Sequence, residues 1–378
     1  MGERKWSEIP PAEDFFRLLN PDGTLAGPMP DLDNATLKRL HETLVLTRAY
    51  EDYTLRMQRR GELSVTAAST GEEAVGLGSA AALKAGDFVW PSYRQMTAHL
   101  YWDVPLDRAF ATLFGGAPEV IAQHLPLDPL PAVGFTPYAV IVGSNISNAA
   151  GTALADKLRG RDSVTLAYTG EGSTSEGDFH EGLNVAAVLK VPAVFIVHNN
   201  QWAISMPVHR QTASATFAQK AAAYGMPGER VDGNDVLAMY QKTKEAVDRA
   251  RAGDGPTLIE AVTYRVVDHN TSDSAAVYRD DAVAAHWRTL DPRIRFEAFL
   301  RKRKLLTDKR LKEIEAAAAQ HVREAADRAR TVPRAPAQSI FENHLDTEGW
   351  TLRLQRRQLE VELAGGNPFT DVDAEALP

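Results

Sequence analysis

The sequence predicts an α/β fold in which helices cover both faces of a mostly parallel sheet. Segments 163–170, 191–200 and 256–266 are apolar and rich in β-forming residues, which indicates buried strands. Helical patterns at 144–158 and 172–190 alternate with the first two of these strands. Apolar strands that alternate with helices are typical of a parallel sheet that is buried on both faces.

The N-terminal residues 1–32 are rich in proline, glycine and aspartate, which indicates an extended arm. A helix is expected to follow, because Asp33 or Asn34 can cap its first turn. The apolar face of this helix is expected to carry Leu37, Leu40, Leu44 and Leu55. Gly61 is expected to end the helix.

The segment 70–87 contains many small residues in a helical pattern, and small side chains let another backbone come close. A short strand is expected within 88–94, and residues 95–114 are expected to be helical again. Residues 115–140 contain too many glycines and prolines to form a single regular element.

The α/β domain is expected to span residues 33–300, followed by a helical C-terminal extension over 301–378. A linker at 331–338 precedes a last predicted helix at 350–364, and the loop 266–281 is polar. The first helix of the extension is predicted by an apolar stripe at helical spacing: Leu311, Ile314, Ala318, Val322, Ala325 and Ala329.

The composition restricts the chemistry that this chain of 378 residues can perform. The chain contains no cysteine, so a metal must be bound by oxygen or imidazole ligands. The net charge of −8 and the lack of a basic stripe argue against nucleic acid as a partner. The sequence has neither a signal-peptide pattern nor an apolar run of about 18 residues, so we expect a cytoplasmic protein without a membrane segment.

A glycine-rich segment, Gly170–Gly177, follows one apolar strand and opens a helix. Open α/β sheets bind ligands at this position, where a helix N-terminus offers free N–H groups. The glycines allow a phosphate to approach the backbone, and Ser173 and Thr174 add hydroxyl donors. Taken alone, the segment also fits an ordinary strand-to-helix turn with Glu171 in solvent, because it contains neither GxGxxG nor a Walker loop.

A polar pair, Asn199-Asn200, ends the next apolar strand. Adjacent parallel strands of a βαβ unit end at the same edge of the sheet, so we expect Glu171 and Asn200 to lie close together. Mg²⁺ prefers oxygen ligands and takes several of them from phosphates and water. We therefore expect Glu171, Asn200 and the backbone carbonyl of Trp202 to hold Mg²⁺ together with a diphosphate.

Segment 170–205 resembles the alpha subunit of branched-chain 2-oxo acid dehydrogenases, in which glycine, an acid and glycine precede a helix and a strand ending in Asn-Asn. The resemblance extends from about residue 33 to about residue 300. It implies the thiamine-diphosphate-binding fold, with thiamine diphosphate and Mg²⁺ as cofactors. It also implies the oxidative decarboxylation of a small 2-oxo acid, with acyl transfer to a lipoyl group.

The same resemblance implies two protein partners. A beta subunit is expected to supply the glutamate beside the aminopyrimidine ring, in an assembly of two alpha and two beta chains. The isolated chain is therefore expected to be inactive. A lipoyl-bearing acyltransferase component is expected to accept the acyl group.

The resemblance assigns roles to further residues. Tyr93 and Arg94 match a Tyr-Arg pair whose arginine holds the diphosphate, which suits a planar guanidinium. Val142 matches a backbone contact to the aminopyrimidine, and His198 replaces an arginine that faces the cofactor in some relatives. His269 matches a catalytic histidine in a mobile loop over the active site, and its polar setting suits such a loop, although the sequence alone favours a solvated loop histidine. The other expected cofactor-binding residues are Gly170, Glu171, Gly172, Ser173, Thr174, Asn200, Trp202 and Ile204.

The acyl pocket is expected to contain Val65, Tyr93 and Leu125, which match pocket positions in relatives. Valine at position 65 is smaller than the aromatic residue of some relatives, which favours a branched substrate such as 2-oxoisovalerate. The alpha subunit of pyruvate or acetoin dehydrogenase is an alternative, and so is a non-catalytic assembly subunit. A nicotinamide dehydrogenase is disfavoured, because the second strand ends in Asn-Asn rather than in an acid.

Overall fold

The computed structural model describes residues 15–63, 65–138, 140–342 and 346–365. The strands are β1 (Phe88–Trp90), β2 (Gly134–Phe135), β3 (Thr165–Gly170), β4 (Ala193–Asn199), β5 (Trp202–Ala203), β6 (Met206–Pro207), β7 (Gly228–Asp232) and β8 (Thr257–Val262). The helices are α1 (Asn34–Arg59), α2 (Glu73–Ala81), α3 (Met96–Tyr101), α4 (Leu106–Leu113), α5 (Pro118–His124), α6 (Ser144–Leu158), α7 (Gly177–Val188), α8 (Val208–Gln211), α9 (Val236–Arg251), α10 (Asp281–Arg288), α11 (Pro292–Lys302), α12 (Asp308–Ala329) and α13 (Trp350–Ala364).

A parallel sheet in the order β2-β1-β3-β4-β8-β7 forms the centre of the molecule. Every residue of β4 and β8 is buried, as both faces of the sheet are covered. This arrangement confirms the predicted α/β fold. The register places Gly170 of β3 beside His198 of β4, so the segments that follow these two strands leave the sheet at the same edge.

The strand β7 was not predicted from the sequence. It lies at the edge of the sheet, and its first three residues are exposed or half-buried. The N-terminal segment continues this edge, because Phe16 donates to the carbonyl of Arg230 and accepts from the N–H of Asp232. The described part of the predicted arm, 15–32, therefore packs on the domain, and residues 1–14 lie outside the described ranges.

Helix α1 begins as predicted, since the Asp33 carboxylate accepts from the N–H of Thr36 at 2.7 Å. Leu37, Leu40 and Leu44 are buried, but the prediction for Leu55 was wrong, because this side chain is 36% exposed. Met57 contributes to the buried face in its place. The predicted stripe of α12 packs on α1 and α4, with Leu311 partly buried and the other five positions buried.

Helix α2 is shorter than predicted and packs against α9. A Cβ at Gly78 would lie 2.5 Å from the carbonyl oxygen of Val236, so glycine permits this close approach. The helical region predicted for 95–114 is divided into α3 and α4 by the segment 102–105. None of the helices in the described ranges is sufficiently long and apolar to cross a membrane.

Candidate cofactor site

A cavity of about 340 Å³ opens at the edge of the sheet where β3 and β4 end. The segment after β3 contributes Gly170, Glu171, Gly172 and Ser173 to its wall. The end of β4 contributes His198, and Asn200 and Trp202 follow it. Of the predicted cofactor-binding residues, Tyr93, Arg94, Val142, Ile204 and His269 also line this cavity, whereas Thr174 does not.

Glu171 presents a buried carboxylate to this cavity. The residue is 2% exposed, and its Oε1 atom is buried without a hydrogen-bond partner among the described residues. Burial raises the pKa of Glu171 to about 7, and the nearby charge of Glu72 adds to this effect. The backbone N–H of Asn200 lies close enough to lower this pKa in part, so the ends of β3 and β4 do bring these two residues together.

The backbone of the turn after β3 lies very close to the β5–β6 hairpin. A Cβ at Gly172 would lie 2.8 Å from the Cβ of Ala203, so a larger residue would push the β5–β6 hairpin away. Residues 172–175 form a 3₁₀ turn, and α7 begins only at Gly177, five residues later than the predicted helix. The hydroxyl of Thr174 bonds to the carbonyl of Glu171 and to Lys220, so it closes the turn rather than facing the cavity.

Asn200 and Trp202 offer further oxygen atoms. The side chain of Asn200 donates from Nδ2 to Glu72 at 3.0 Å, and its Oδ1 atom accepts from the N–H of Trp202 at 3.3 Å. The carbonyl of Trp202 accepts from the guanidinium of Arg265 at 3.2 Å. Within the described ranges, no three His, Asp or Glu side chains are grouped to hold a metal, so a cation at this place depends on oxygen atoms from other groups as well.

Arg94 lies between the segment before α2 and the loop that carries His269. Arg94 is 6% exposed, and its guanidinium donates to the carbonyl of Ala68 at 2.6 Å and to that of His269 at 2.7 Å. It also lies 3.0 Å from Nδ1 of His269. A guanidinium has five N–H donors, so these contacts leave donors for an anion in the cavity.

His269 is neutral in this environment. Burial, followed by the charges of Arg94 and Arg265, lowers the pKa of His269 to about 4. Both guanidinium groups face Nδ1, at 3.0 and 3.3 Å, so this atom accepts and the ring proton lies on Nε2. The ring of Tyr93 packs edge-on against the imidazole, with 5.9 Å between centroids.

His198 has a different environment from the expected one. Its Nδ1 atom lies 3.1 Å from the amide nitrogen of Gln95, and its Nε2 atom lies 2.7 Å from the carboxylate of Glu72. The contact between Nε2 and Glu72 does not have hydrogen-bond geometry, so among the described residues only Nδ1 has a hydrogen-bonding partner, and His198 remains in the cavity wall. Sequence analysis missed Glu72 and Gln95, although two adjacent acids in the small, apolar segment 70–83 were a signal that one of them has a buried role.

A second cavity of about 370 Å³ adjoins the first, and the two share Tyr93, Arg94, Val140 and His269. Val65 lies in its wall as expected, together with Tyr138. Leu125 is not among the residues that line this cavity, because it packs against the apolar cluster around Ile121. Of the three residues expected in an acyl pocket, Val65 and Tyr93 therefore line this second cavity and Leu125 does not.

The chain matches one family model, described as the dehydrogenase E1 component, over residues 41–338. It belongs to the dehydrogenase E1 component family. The 3-methyl-2-oxobutanoate dehydrogenase subunit alpha of Mycobacterium tuberculosis is 42% identical over 355 residues, which cover 92% of this chain and 94% of the relative. The pyruvate dehydrogenase E1 component subunit alpha of Staphylococcus aureus is 38% identical over 333 residues, which cover 87% and 88% of the two chains.

Membership of the E1 component family confirms the expected class of enzyme, an oxidoreductase that is one subunit of a 2-oxo acid dehydrogenase. Enzymes of this family depend on thiamine diphosphate, and an alpha subunit of an E1 component works with a beta subunit. The cavity at the ends of β3 and β4 is therefore the candidate site for this cofactor.

Proposed function

We propose that the chain binds the diphosphate of thiamine diphosphate through Mg²⁺ and, with a beta subunit, decarboxylates a branched-chain 2-oxo acid. The observation that carries this proposal is the Oε1 atom of Glu171, which is buried at the cavity wall without a hydrogen-bond partner among the described residues. A buried carboxylate with an unpaired oxygen is costly for a protein. A divalent cation removes this cost, because it supplies the missing positive charge.

The proposed metal ligands are the carboxylate of Glu171, Oδ1 of Asn200 and the carbonyl of Trp202. Oxygen atoms are the ligands that Mg²⁺ prefers, and this chain lacks the thiolates that favour softer metals. Mg²⁺ completes its coordination with phosphate oxygens and water. The limited number of protein donors at this place is consistent with a cation that binds together with a diphosphate.

The remaining wall of the cavity suits the rest of the cofactor. Arg94 is proposed to pair with the diphosphate, while Gly170, Gly172 and Ser173 offer backbone or hydroxyl donors to it. Val142 and Ile204 are 48% and 56% exposed, and they provide apolar surface for the ring system. Ile204 has a φ of 54°, which is unusual for a β-branched residue, so the hairpin holds it in a strained conformation at the mouth of the cavity.

When bound, thiamine diphosphate supplies the electron sink that allows a 2-oxo acid to lose carbon dioxide. This chain supplies binding, orientation and a proton donor. Tyr93 and the neutral Nε2–H of His269 lie where the two cavities meet, so they are placed to orient a substrate carboxylate or keto oxygen. His269 is the proposed catalytic residue for acyl transfer to a lipoyl group.

The second cavity is the proposed acyl pocket. Val65 and Tyr93 form part of its wall, and the small valine leaves space for a branched chain. The relative from Mycobacterium tuberculosis is named for 3-methyl-2-oxobutanoate, that is 2-oxoisovalerate, which supports the same substrate for this chain. One methylene contributes only about 1–3 kcal/mol in an apolar pocket, so we expect partial rather than absolute discrimination.

The proposed assembly contains two alpha and two beta chains and delivers its acyl group to a lipoyl-bearing acyltransferase. Titration calorimetry of the alpha–beta assembly tests the cofactor proposal. Thiamine diphosphate should bind with Mg²⁺ and should not bind after EDTA treatment. Absence of binding under both conditions would instead favour a non-catalytic assembly subunit.

The substrate proposal is tested by kcat/KM of the alpha–beta assembly for 2-oxoisovalerate and for pyruvate. We expect the higher value for 2-oxoisovalerate. A large preference for pyruvate would assign the chain to the pyruvate branch of the family, where the relative from Staphylococcus aureus belongs by name.

A further inference from the structure

A series of polar contacts, most of them buried, runs along the wall of the cofactor cavity. It begins at Ser92, whose N–H and hydroxyl both donate to Oε1 of Gln95, at 2.9 and 2.5 Å. Because the oxygen of this amide is occupied, its Nε2 atom points the other way and lies 3.1 Å from Nδ1 of His198. Gln95 is 1% exposed, so no solvent competes for this contact.

The direction of these contacts fixes the tautomer of His198. Its Nδ1 atom faces an amide that can only donate, so Nδ1 accepts and the ring proton lies on Nε2. The Nε2 atom lies 2.7 Å from Oε2 of Glu72. This Nε2 atom therefore lies beside a carboxylate that is itself only 1% exposed, although the contact does not have hydrogen-bond geometry.

Glu72 accepts a hydrogen bond from Asn200 at the same oxygen. Oε2 accepts from Nδ2 of Asn200 at 3.0 Å, whereas Oε1 is buried without a partner among the described residues. An ionised carboxylate can only accept hydrogen bonds, so the amide of Asn200 must turn its NH₂ group towards Glu72. Its oxygen, Oδ1, is then directed to the other side, where the N–H of Trp202 makes a longer contact with it, at 3.3 Å.

We infer that Glu72 is a positioning residue that sets the orientation of the Asn200 amide, so that its oxygen and not its NH₂ group faces the cation. This inference rests on the proposed function, because it concerns the proposed Mg²⁺ ligand. Without Glu72 the amide would be oriented only by the longer contact from the N–H of Trp202, so its NH₂ group, which repels a cation, would face the cation for part of the time. Partners that orient a metal ligand typically change metal affinity by about 10- to 100-fold when they are removed.

The structure provides a matched control for this role. Asn199 donates from Nδ2 to Oε1 of Glu260 at 2.8 Å, and both residues are buried. This second Glu–Asn pair involves the residue next to Asn200, but neither of its members lines the cofactor cavity. Replacement of Glu260 therefore reports the cost of losing a buried carboxylate without a change at the proposed metal site.

The experiment compares Glu72→Gln and Glu260→Gln in the alpha–beta assembly. Thiamine diphosphate is titrated calorimetrically in the presence of Mg²⁺, and the thermal midpoint of each assembly is recorded without ligand. We expect Glu72→Gln to weaken the Mg²⁺-dependent Kd by about 10- to 100-fold. We expect Glu260→Gln to lower the thermal midpoint while leaving this Kd unchanged.

A double variant separates orientation from general support of the fold. In Asn200→Asp alone, the new carboxylate lies where Nδ2 of Asn200 now contacts Glu72, so two carboxylates repel each other. Cofactor binding should therefore weaken strongly. In the double variant E72Q/N200D, the amide at position 72 donates to the new carboxylate, whose other oxygen faces the cation. Glu72→Gln should therefore weaken binding next to asparagine and strengthen it next to aspartate, a reversal of sign that indicates direct coupling.

The outcomes distinguish this inference from the proposed function. If the wild-type assembly shows no Mg²⁺-dependent binding, the proposed function fails and the inference fails with it. If wild type binds but Glu72→Gln binds equally well, only the role of Glu72 is overturned. The role is also overturned if Glu72→Gln weakens binding in both backgrounds, because loss of structural support would have that effect.

Discussion

Arg94 donates from Nη2 to the backbone carbonyl of His269 at 2.7 Å, which joins the proposed diphosphate ligand to the loop that carries the proposed catalytic histidine. The other Nη atom holds the carbonyl of Ala68. Thr66 and Thr271 add two hydrogen bonds between the same two segments. One guanidinium thus contributes both to the position of the loop and to the proposed recognition of the diphosphate.

Replacement of Arg94 by lysine should affect both the position of the loop and the binding of the diphosphate. An ammonium group keeps the charge but loses the planar arrangement of donors, so it cannot serve two carbonyls and a phosphate together. Hydrogen bonds to charged groups contribute about 1.5–3 kcal/mol, so we expect the Kd for thiamine diphosphate to rise about 10- to 100-fold. We also expect faster proteolysis within 266–281. The exposed Arg159, replaced by lysine, is the control, and an unchanged Kd for Arg94→Lys would contradict the assignment.

Glu171→Gln should remove cofactor binding and yet stabilise the ligand-free protein. A neutral amide cannot balance the charge of Mg²⁺, so calorimetry should detect no Mg²⁺-dependent binding of thiamine diphosphate. The same replacement removes a carboxylate whose burial is costly, so the thermal midpoint without ligand should rise. The control is Glu181→Gln, an exposed acid of α7. A lower midpoint for Glu171→Gln would mean that this carboxylate supports the fold rather than a ligand.

The parts of the fold that were predictable are those in which the local pattern and the tertiary environment agree. The strands β3, β4 and β8 are continuous apolar runs because both faces of the sheet are covered. The edge strand β7 contains Gly228, Glu229 and Arg230, which carry no such pattern, and its pairing with β8 decides its conformation. Leu55 was misplaced because the exposed face of a long helix also tolerates single leucines.

Only those site residues that the strand topology brings together were predictable. Parallel strands bring Glu171 and Asn200 to one edge of the sheet, and this follows from sequence order alone. The contact between Glu72 and Asn200 joins residues 128 positions apart, and it depends on how α2 approaches the sheet. Neither spacing nor hydrophobic pattern specifies that approach. For the same reason the sequence could not reveal that Gln95 and Glu72 lie against the two nitrogens of His198.

Val65→Phe should shift substrate preference towards pyruvate. Val65 lies in the wall of the proposed acyl pocket, so an aromatic ring at this position fills space that a branched chain needs. One methylene corresponds to about 1–3 kcal/mol, so the ratio of kcat/KM for 2-oxoisovalerate to that for pyruvate should fall by about 10- to 200-fold. Val188→Phe, at a 71% exposed position of α7, should leave the ratio unchanged. An unchanged ratio for Val65→Phe would place the acyl chain elsewhere.

The neutral state of His269 has a consequence for the pH dependence of stability. Its pKa in the folded protein is about 4, below the ordinary value of 6.5, because burial and the two arginines disfavour the proton. Between these values the unfolded chain binds a proton that the folded chain does not, so the contribution of His269 to stability is lost as the pH falls from about 6.5 to 4. The thermal midpoint of wild type should therefore decrease relative to that of His269→Gln as the pH falls from about 7 to about 5. A difference that stays constant would exclude a lowered pKa.

Two glycines of α2 should respond in opposite ways to replacement by alanine. A Cβ at Gly78 would lie 2.5 Å from the carbonyl oxygen of Val236 and 2.6 Å from the Cβ of Met239, so α2 and α9 must separate. A Cβ at Gly76 would be 3.6 Å from its nearest neighbour, which is an ordinary contact. Overpacking costs about 1–3 kcal/mol, whereas alanine in a helix is more favourable than glycine by about 0.5–1 kcal/mol.

We therefore expect Gly78→Ala to lower the thermal midpoint of the alpha–beta assembly and Gly76→Ala to maintain or raise it. Since Glu72 directly precedes α2, a displaced α2 should also move this carboxylate away from Asn200. Gly78→Ala should accordingly weaken the binding of thiamine diphosphate as well, although Gly78 does not line the cavity. Loss of stability without loss of affinity would mean that α2 can shift along α9 while its first turn stays in place.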